Sequence, residues 1–144
     1  KKMTRFLMSL SNAIELVIHA INNGQNGDLF IHKAKAAYIY DLARACLKIT
    51  NSKNKIKVIG IRAGEKISET LATEEELGSS ENLGSFWRIK STTNFNDDKF
   101  YYKGEKKIAN IKPYNSSLIK IENFEDVCNI ILKNEEYKKF KGLI

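Results

Sequence analysis

The chain is poor in the residues that punctuate or cross-link a fold. It holds one proline, Pro113, and eight glycines in 144 residues. That leaves its helical and strand patterns largely uninterrupted and excludes a Pro-rich or Gly-rich linker. Two cysteines, Cys46 and Cys128, fall inside apolar helical patterns. They read as small buried hydrophobes of a protein in a reducing, cytoplasmic compartment, not as a disulfide or a metal site. His19 and His32 have no Cys or Asp at metal-ligand spacing, so no metal centre is expected. No G-x-G-x-x-G follows a strand pattern and there is no P-loop, which excludes cofactor binding through either motif. No nucleophile with its base can be assembled from motifs. Glu74, Glu75 and Glu76 read as the start of a helix, where carboxylates meet the positive end of the dipole, and not as an acid–base pair. No apolar run reaches the roughly 18 residues of a membrane-spanning helix. The opening Lys1-Lys2-Met3-Thr4-Arg5-Phe6 has no signal-peptide block.

What is present is ordinary globular material: 42% hydrophobic and 28% charged residues. This suits one soluble domain spanning residues 1–144, with no repeat and no linker. The formal charge of +7 admits nucleic acid, an anionic membrane, a phosphorylated ligand or simply a Lys-rich surface. Phe100-Tyr101-Tyr102 lie among the lysines of 99–107, a pattern that can stack single-stranded nucleic acid. Asp97, Asp98 and Glu105 interrupt that patch, so inward-packing aromatics are the better reading and no nucleic-acid partner is expected.

The elements follow in order. Arg5 stands among large apolar residues, where a guanidinium is costly unless it meets an anion. Ser9 or Ser11 caps a helix in which Ala13, Leu16, Val17, Ala20 and Ile21 repeat at helical spacing, ending near Gly24. Asp28–Lys33 reads as a buried strand, and Ile39, Leu42, Ala43 and Cys46 mark a second helix. Val58, Ile59 and Ile61 read as another buried strand. The alternation predicts α/β layering with crossover helices on a sheet. Thr73 to Glu76 forms a capping box, and Phe86–Lys90 is a further strand. Pro113–Ser116 is a turn. Asn123 caps a last helix carrying Phe124, Val127, Cys128, Ile131 and Leu132, and 135–141 is a charged, solvated end.

The most informative stretch is Val58–Lys66, where an apolar run ends at a charged corner, Arg62-Ala63-Gly64-Glu65. Gly64 supplies the backbone freedom for the turn. An Arg fork matches phosphate oxygens in pairs, and a carboxylate accepts from sugar hydroxyls. The corner is therefore either a clamp for a nucleoside diphosphate or a surface ion pair between Arg62 and Glu65.

Several further blocks bear on that choice. Met3-Thr4-Arg5-Phe6, Met8-Ser9-Leu10, Gly27-Asp28-Leu29-Phe30-Ile31, Asp41-Leu42-Ala43, Ile59-Gly60-Ile61-Arg62, Gly64-Glu65-Lys66, Glu69-Thr70-Leu71 and Tyr114-Asn115-Ser116 occur in this order. Together they resemble the carboxy-terminal part of CapD/CapE-type polysaccharide biosynthesis enzymes, over nearly the whole chain. These are extended short-chain dehydrogenase/reductases that act on UDP-N-acetylglucosamine as 4-epimerases or 4,6-dehydratases with 5-epimerase activity. The resemblance implies that Arg5 and Arg62 contact the substrate diphosphate and Glu65 the uridine ribose. It implies a UDP-N-acetyl-hexosamine ligand, and apolar surface that the family's other half would cover would favour a homo-oligomer. It also implies that an amino-terminal Rossmann half, with the family's Tyr-x-x-x-Lys, holds NAD(P) before residue 1. This chain alone would then neither bind NAD(P) nor turn over substrate. Ala63, Lys35 and Ser68 depart from the family's usual residues. The other readings are a basic nucleic-acid-binding module and a catalytically inactive assembly domain.

Overall fold

The computed structural model describes residues 1–91 and 111–142. The Lys-flanked aromatics of 99–107 lie outside the described residues. Strand β1 (Thr4–Leu7) leads into helix α1 (Leu10–Asn23), then strands β2 (Leu29–His32) and β3 (Lys35–Tyr38) and helix α2 (Ile39–Ile49). After a long irregular stretch come β4 (Thr70–Ala72), α3 (Glu74–Gly78), β5 (Ser80–Asn82) and β6 (Phe86–Ile89). The remaining elements are β7 (Tyr114–Asn115), α4 (Phe124–Lys133) and α5 (Glu135–Phe140).

The helix starts follow local hydrogen bonding. Ser9 Oγ accepts from Asn12 N–H at 3.1 Å at the head of α1. At α3, Thr73 N–H donates to Glu76 Oε2 at 2.8 Å and Glu76 N–H donates to Thr73 Oγ1 at 3.2 Å, a complete capping box. Asn123 Oδ1 takes the Asp126 N–H at the head of α4. The charged end is itself helical in α5, with Asn134 as its cap.

The chain is mixed α/β, but its ladders are short and antiparallel: β1 with β3, β2–β6–β5, and β4 with β7. A parallel isolated bridge joins Ala36 to Ile121. This differs from a sheet crossed by helices. Two residues separate β2 from β3, too few for a crossover, and these strands pair with other partners. The main core lies where α2 and α4 meet the β1–β3 pair: Ala37, Ala45, Val127 and Cys128, with Leu7, Leu42, Ile49, Phe124 and Ile131 around them.

Three expectations are corrected. Val58, Ile59 and Ile61 form no strand and are 62%, 73% and 56% exposed. Gly60 at φ +91° turns the chain inside this run, and the stretch finds no ladder partner among the described residues. Cys46 is exposed while Cys128 is buried. The inward stripe of α2 is Leu42, Ala45 and Ile49, and Cys46 lies about 100° further round the helix. Helix α1 buries no residue, and Val17 and Ile21 face outward. Its covered side carries His19, whose ring stacks on Phe86 at 4.3 Å and meets Phe30 edge-on at 5.4 Å.

Candidate functional site: the Arg5–Glu65 loop

Arg62 and Glu65 bracket a tight turn. Glu65 N–H donates to Arg62 O at 3.1 Å, with Gly64 at φ +82°. Positive φ at the third residue is the signature of a type II turn, which explains the glycine. Glu65 then folds back, and its Oε2 accepts the Arg62 N–H at 3.1 Å. The local ion pair between the two side chains is not formed: Glu65 caps the Arg62 backbone, and its other oxygen faces Arg5 Nη2 at 3.9 Å.

Arg5 reaches this turn from β1. Its Nη1 donates to Thr4 O at 2.7 Å and to Ile67 O at 3.4 Å, and its Nη2 donates to Lys66 O at 2.8 Å. Its Nε lies 3.3 Å from Glu69 Oε1. The anion expected beside an arginine in apolar surroundings is therefore present, and it is a pair of protein carboxylates. Arg5 and Glu65 are brought together, and Arg62 joins them through its backbone. The Arg62 guanidinium and the Lys66 ammonium have no hydrogen-bond or ion-pair partner among the described residues. They are the cations left to meet a ligand.

Glu69, Thr4 and Ser116 complete the loop's support and were not singled out by motif. Their signal in sequence was a polar residue inside an apolar run (Thr4) and membership of ordered blocks. An apolar groove of about 450 Å³ starts at Ile61 and Ile67 and runs past Val58 and Ile59 to Tyr40 and Ala43.

Several charges elsewhere are paired within the fold. A second groove, of about 620 Å³, lies between β1, the β2–β3 turn, α4 and α5. At its rim Lys33 sits 4.0 Å from the Trp87 ring centroid and donates to Asn82, and burial lowers its pKa. Lys35 lies 3.8 Å from Glu122. Tyr114 donates its hydroxyl to Ala34 O at 2.8 Å, and burial raises the phenol. On β6, Arg88 grips Asp28 Oδ2 through Nη2 at 2.6 Å and Nε at 2.8 Å. Burial alone raises the Asp28 carboxyl, but the Gln25 and Ser91 N–H groups and Arg88 together hold it below its usual range. Among the described residues no cluster of His, Cys, Asp or Glu fits a metal ion, and no helix is long and apolar enough to cross a membrane.

The strand-to-helix junctions β1–α1 and β3–α2 carry no glycine, and the first is closed by the Ser9 cap.

Comparison with known proteins gives a family. Residues 1–91 match the family described as polysaccharide biosynthesis protein. A UDP-glucose 4-epimerase of Rickettsia bellii is 44% identical over 131 residues, covering 90% of this chain and 38% of that relative. The corresponding protein of Rickettsia felis is 41% identical over the same extent. The X-ray structure of Pen from Bacillus thuringiensis superposes with a TM-score of 0.74 at 29% identity, covering 91% of this chain and 37% of that one. The chain thus spans little more than a third of the length of the relatives it matches. With more than half of its residues matched in sequence order, and a mixed α/β fold shared with Pen, the chain belongs to the polysaccharide biosynthesis protein family.

Proposed function

We propose that this chain is the substrate-holding portion of a nucleotide-sugar epimerase or 4,6-dehydratase, with a UDP-N-acetyl-hexosamine as ligand, serving surface polysaccharide synthesis. The observation that carries the reading is the convergence of Arg5, Arg62 and Glu65 on one tight loop. Arg62 supplies a free planar fork for the diphosphate. Glu65 is the acceptor for the ribose hydroxyls. Its contact with Arg5 at 3.9 Å is longer than a hydrogen bond, so it is the one the ligand displaces. As Glu65 Oε1 turns to the ribose, one N–H of Arg5 Nη2 is released toward the second phosphate, while Lys66 O keeps the other. Similarity to UDP-glucose 4-epimerases supports a uridine nucleotide as the recognised group.

The same reading assigns the redox cofactor, NAD(P), and the proton-transferring groups to the part of the relatives' length that this chain does not match. This chain by itself then neither binds NAD(P) nor turns over substrate. Two apolar surfaces are left for such a part, or for a second copy of the chain, to cover: the outer stripe of α1 and the 56–61 run.

Calorimetric titration with uridine diphosphate tests the site, in this chain and in a version joined to the remainder of the relatives' length. Arg62→Ala and Glu65→Ala should each weaken binding about tenfold or more, as loss of a charge-assisted hydrogen bond does. Unchanged affinity in both variants refutes the assignment.

A further inference from the structure

We infer that Thr4 and Ser116 are positioning residues: a buried hydroxyl pair that holds the 62–69 loop in the shape its ligand-facing side chains require. The inference rests on the nucleotide-binding reading above and names what sets that site's geometry. Thr4 and Ser116 are 1% and 0% exposed. Their hydroxyls meet at 2.8 Å although 112 positions separate them in the chain. Neither can reach a ligand in solvent.

Both residues grip the loop. Ser116 N–H donates to Glu69 O at 2.8 Å, and Ser116 Oγ accepts Glu69 N–H at 2.9 Å. Thr4 N–H donates to Ile67 O at 2.9 Å, and Thr4 O accepts from Arg5 Nη1 at 2.7 Å. Arg5 Nε in turn faces the Glu69 carboxylate at 3.3 Å. The path Thr4–Ser116–Glu69–Arg5 closes on Thr4. Every link is a directional polar contact, and each member has its neighbours fixed on both sides.

The choice of hydroxyls is what points to a role beyond packing. Two apolar side chains of similar shape would fill this space and satisfy none of its hydrogen bonds. They would leave the Glu69 N–H without its acceptor and the loop held to β1 and β7 by its backbone bonds alone. The Ser116 hydroxyl, held in turn by the Thr4 hydroxyl, places Glu69 to within a hydrogen bond, while the Thr4 backbone N–H fixes Ile67. Arg62, Glu65 and Lys66 hang between that anchor and the Gly64 turn. A shift of about 1 Å there separates the phosphate-facing cation from the ribose-facing carboxylate, which is the scale at which positioned groups lose their effect.

The test uses isosteric and conservative variants in the full-length protein. Thr4→Val keeps the shape and removes the hydroxyl; Thr4→Ser keeps the hydroxyl. Thr4→Val should speed hydrogen exchange of the loop amides 65–69 about tenfold, leave the α2 and α4 amides unchanged, and weaken uridine diphosphate about tenfold. Thr4→Ser should restore both to within about twofold of the unsubstituted protein. In a Glu65→Ala background Thr4→Val should cost less affinity than in the unsubstituted protein, because part of its effect runs through that side chain's placement. Unchanged loop exchange in Thr4→Val, or full additivity with Glu65→Ala, overturns the inference. Absence of uridine diphosphate binding in the unsubstituted protein overturns the proposed function. Binding that Arg62→Ala abolishes and Thr4→Val leaves untouched overturns the positioning role alone.

Discussion

Helices α2 and α1 carry the same kind of pattern and meet opposite fates. On α2, Leu42, Ala45 and Ile49 close against Val127 and Cys128 of α4 and Ala37 of β3. On α1, Leu10, Ile14, Val17, Ile18 and Ile21 make an equally regular stripe, yet they are 61%, 51%, 57%, 52% and 75% exposed. An apolar face at helical spacing states that burial is favourable. It does not state what does the burying. On the function proposed above, this stripe is a surface left for the unmatched part of the relatives' length, or a second copy of the chain, to cover.

Four changes break or sharpen this contrast, and they rank by how completely the site is enclosed. Val127→Asp places a charge at a fully buried position and should cost about 4 kcal/mol or more, enough to unfold the chain; urea denaturation followed by circular dichroism reads it.

Asp28→Asn, one residue before β2, should cost about 2–3 kcal/mol, because it removes the charge-assisted pair with Arg88. The sign of its pH dependence follows from the lowered carboxyl. The native pair contributes its full stability above the unfolded-state value near 3.8 and loses it as pH falls through the lower folded value. The gap between the unsubstituted chain and Asp28→Asn should therefore be widest at neutral pH and close on acidification below about pH 4. A gap that widens in acid contradicts it.

Tyr114→Phe removes one half-buried hydrogen bond to Ala34 O and should cost about 1 kcal/mol, visible as a small drop in Tm. Smallest is Ile21→Glu on the open stripe, which should change the stability of this chain by less than about 0.5 kcal/mol. Its effect is on association: sedimentation should show less self-association than the unsubstituted chain. A large stability loss in Ile21→Glu would mean that α1 is already covered, and the contrast with α2 would disappear.

Legibility followed the range of the interactions. The caps at Ser9, Thr73 with Glu76, and Asn123 were readable because each bond spans three residues. Strands β2 and β6 were readable from apolar runs that find each other as ladder partners. The run 56–61 has the same composition and no partner, and a strand without a partner leaves its backbone unpaired. Cys46 was misplaced because it neighbours a core residue on a helix whose inward face is one residue wide of it. At the site, residue types pointed to Arg62 and Glu65 as phosphate and hydroxyl partners. They could not show that Glu65 would cap the Arg62 backbone and face Arg5. The link from Thr4 to Ser116 joins distant parts of the chain, and nothing local encodes it.

Composition and pattern alone determined a mixed α/β chain without metal, membrane-span or P-loop motifs, with helix starts set by capping and a glycine turn between Arg62 and Glu65. These are properties of neighbours within about one turn, where few conformations compete. Tertiary structure decided which apolar faces are covered, that Arg5 is held by two carboxylates while Arg62 stays free, and that a pair of buried hydroxyls locks the loop between them. Those outcomes depend on which distant segments meet, and a side chain's partners are chosen there by packing and hydrogen-bond satisfaction together.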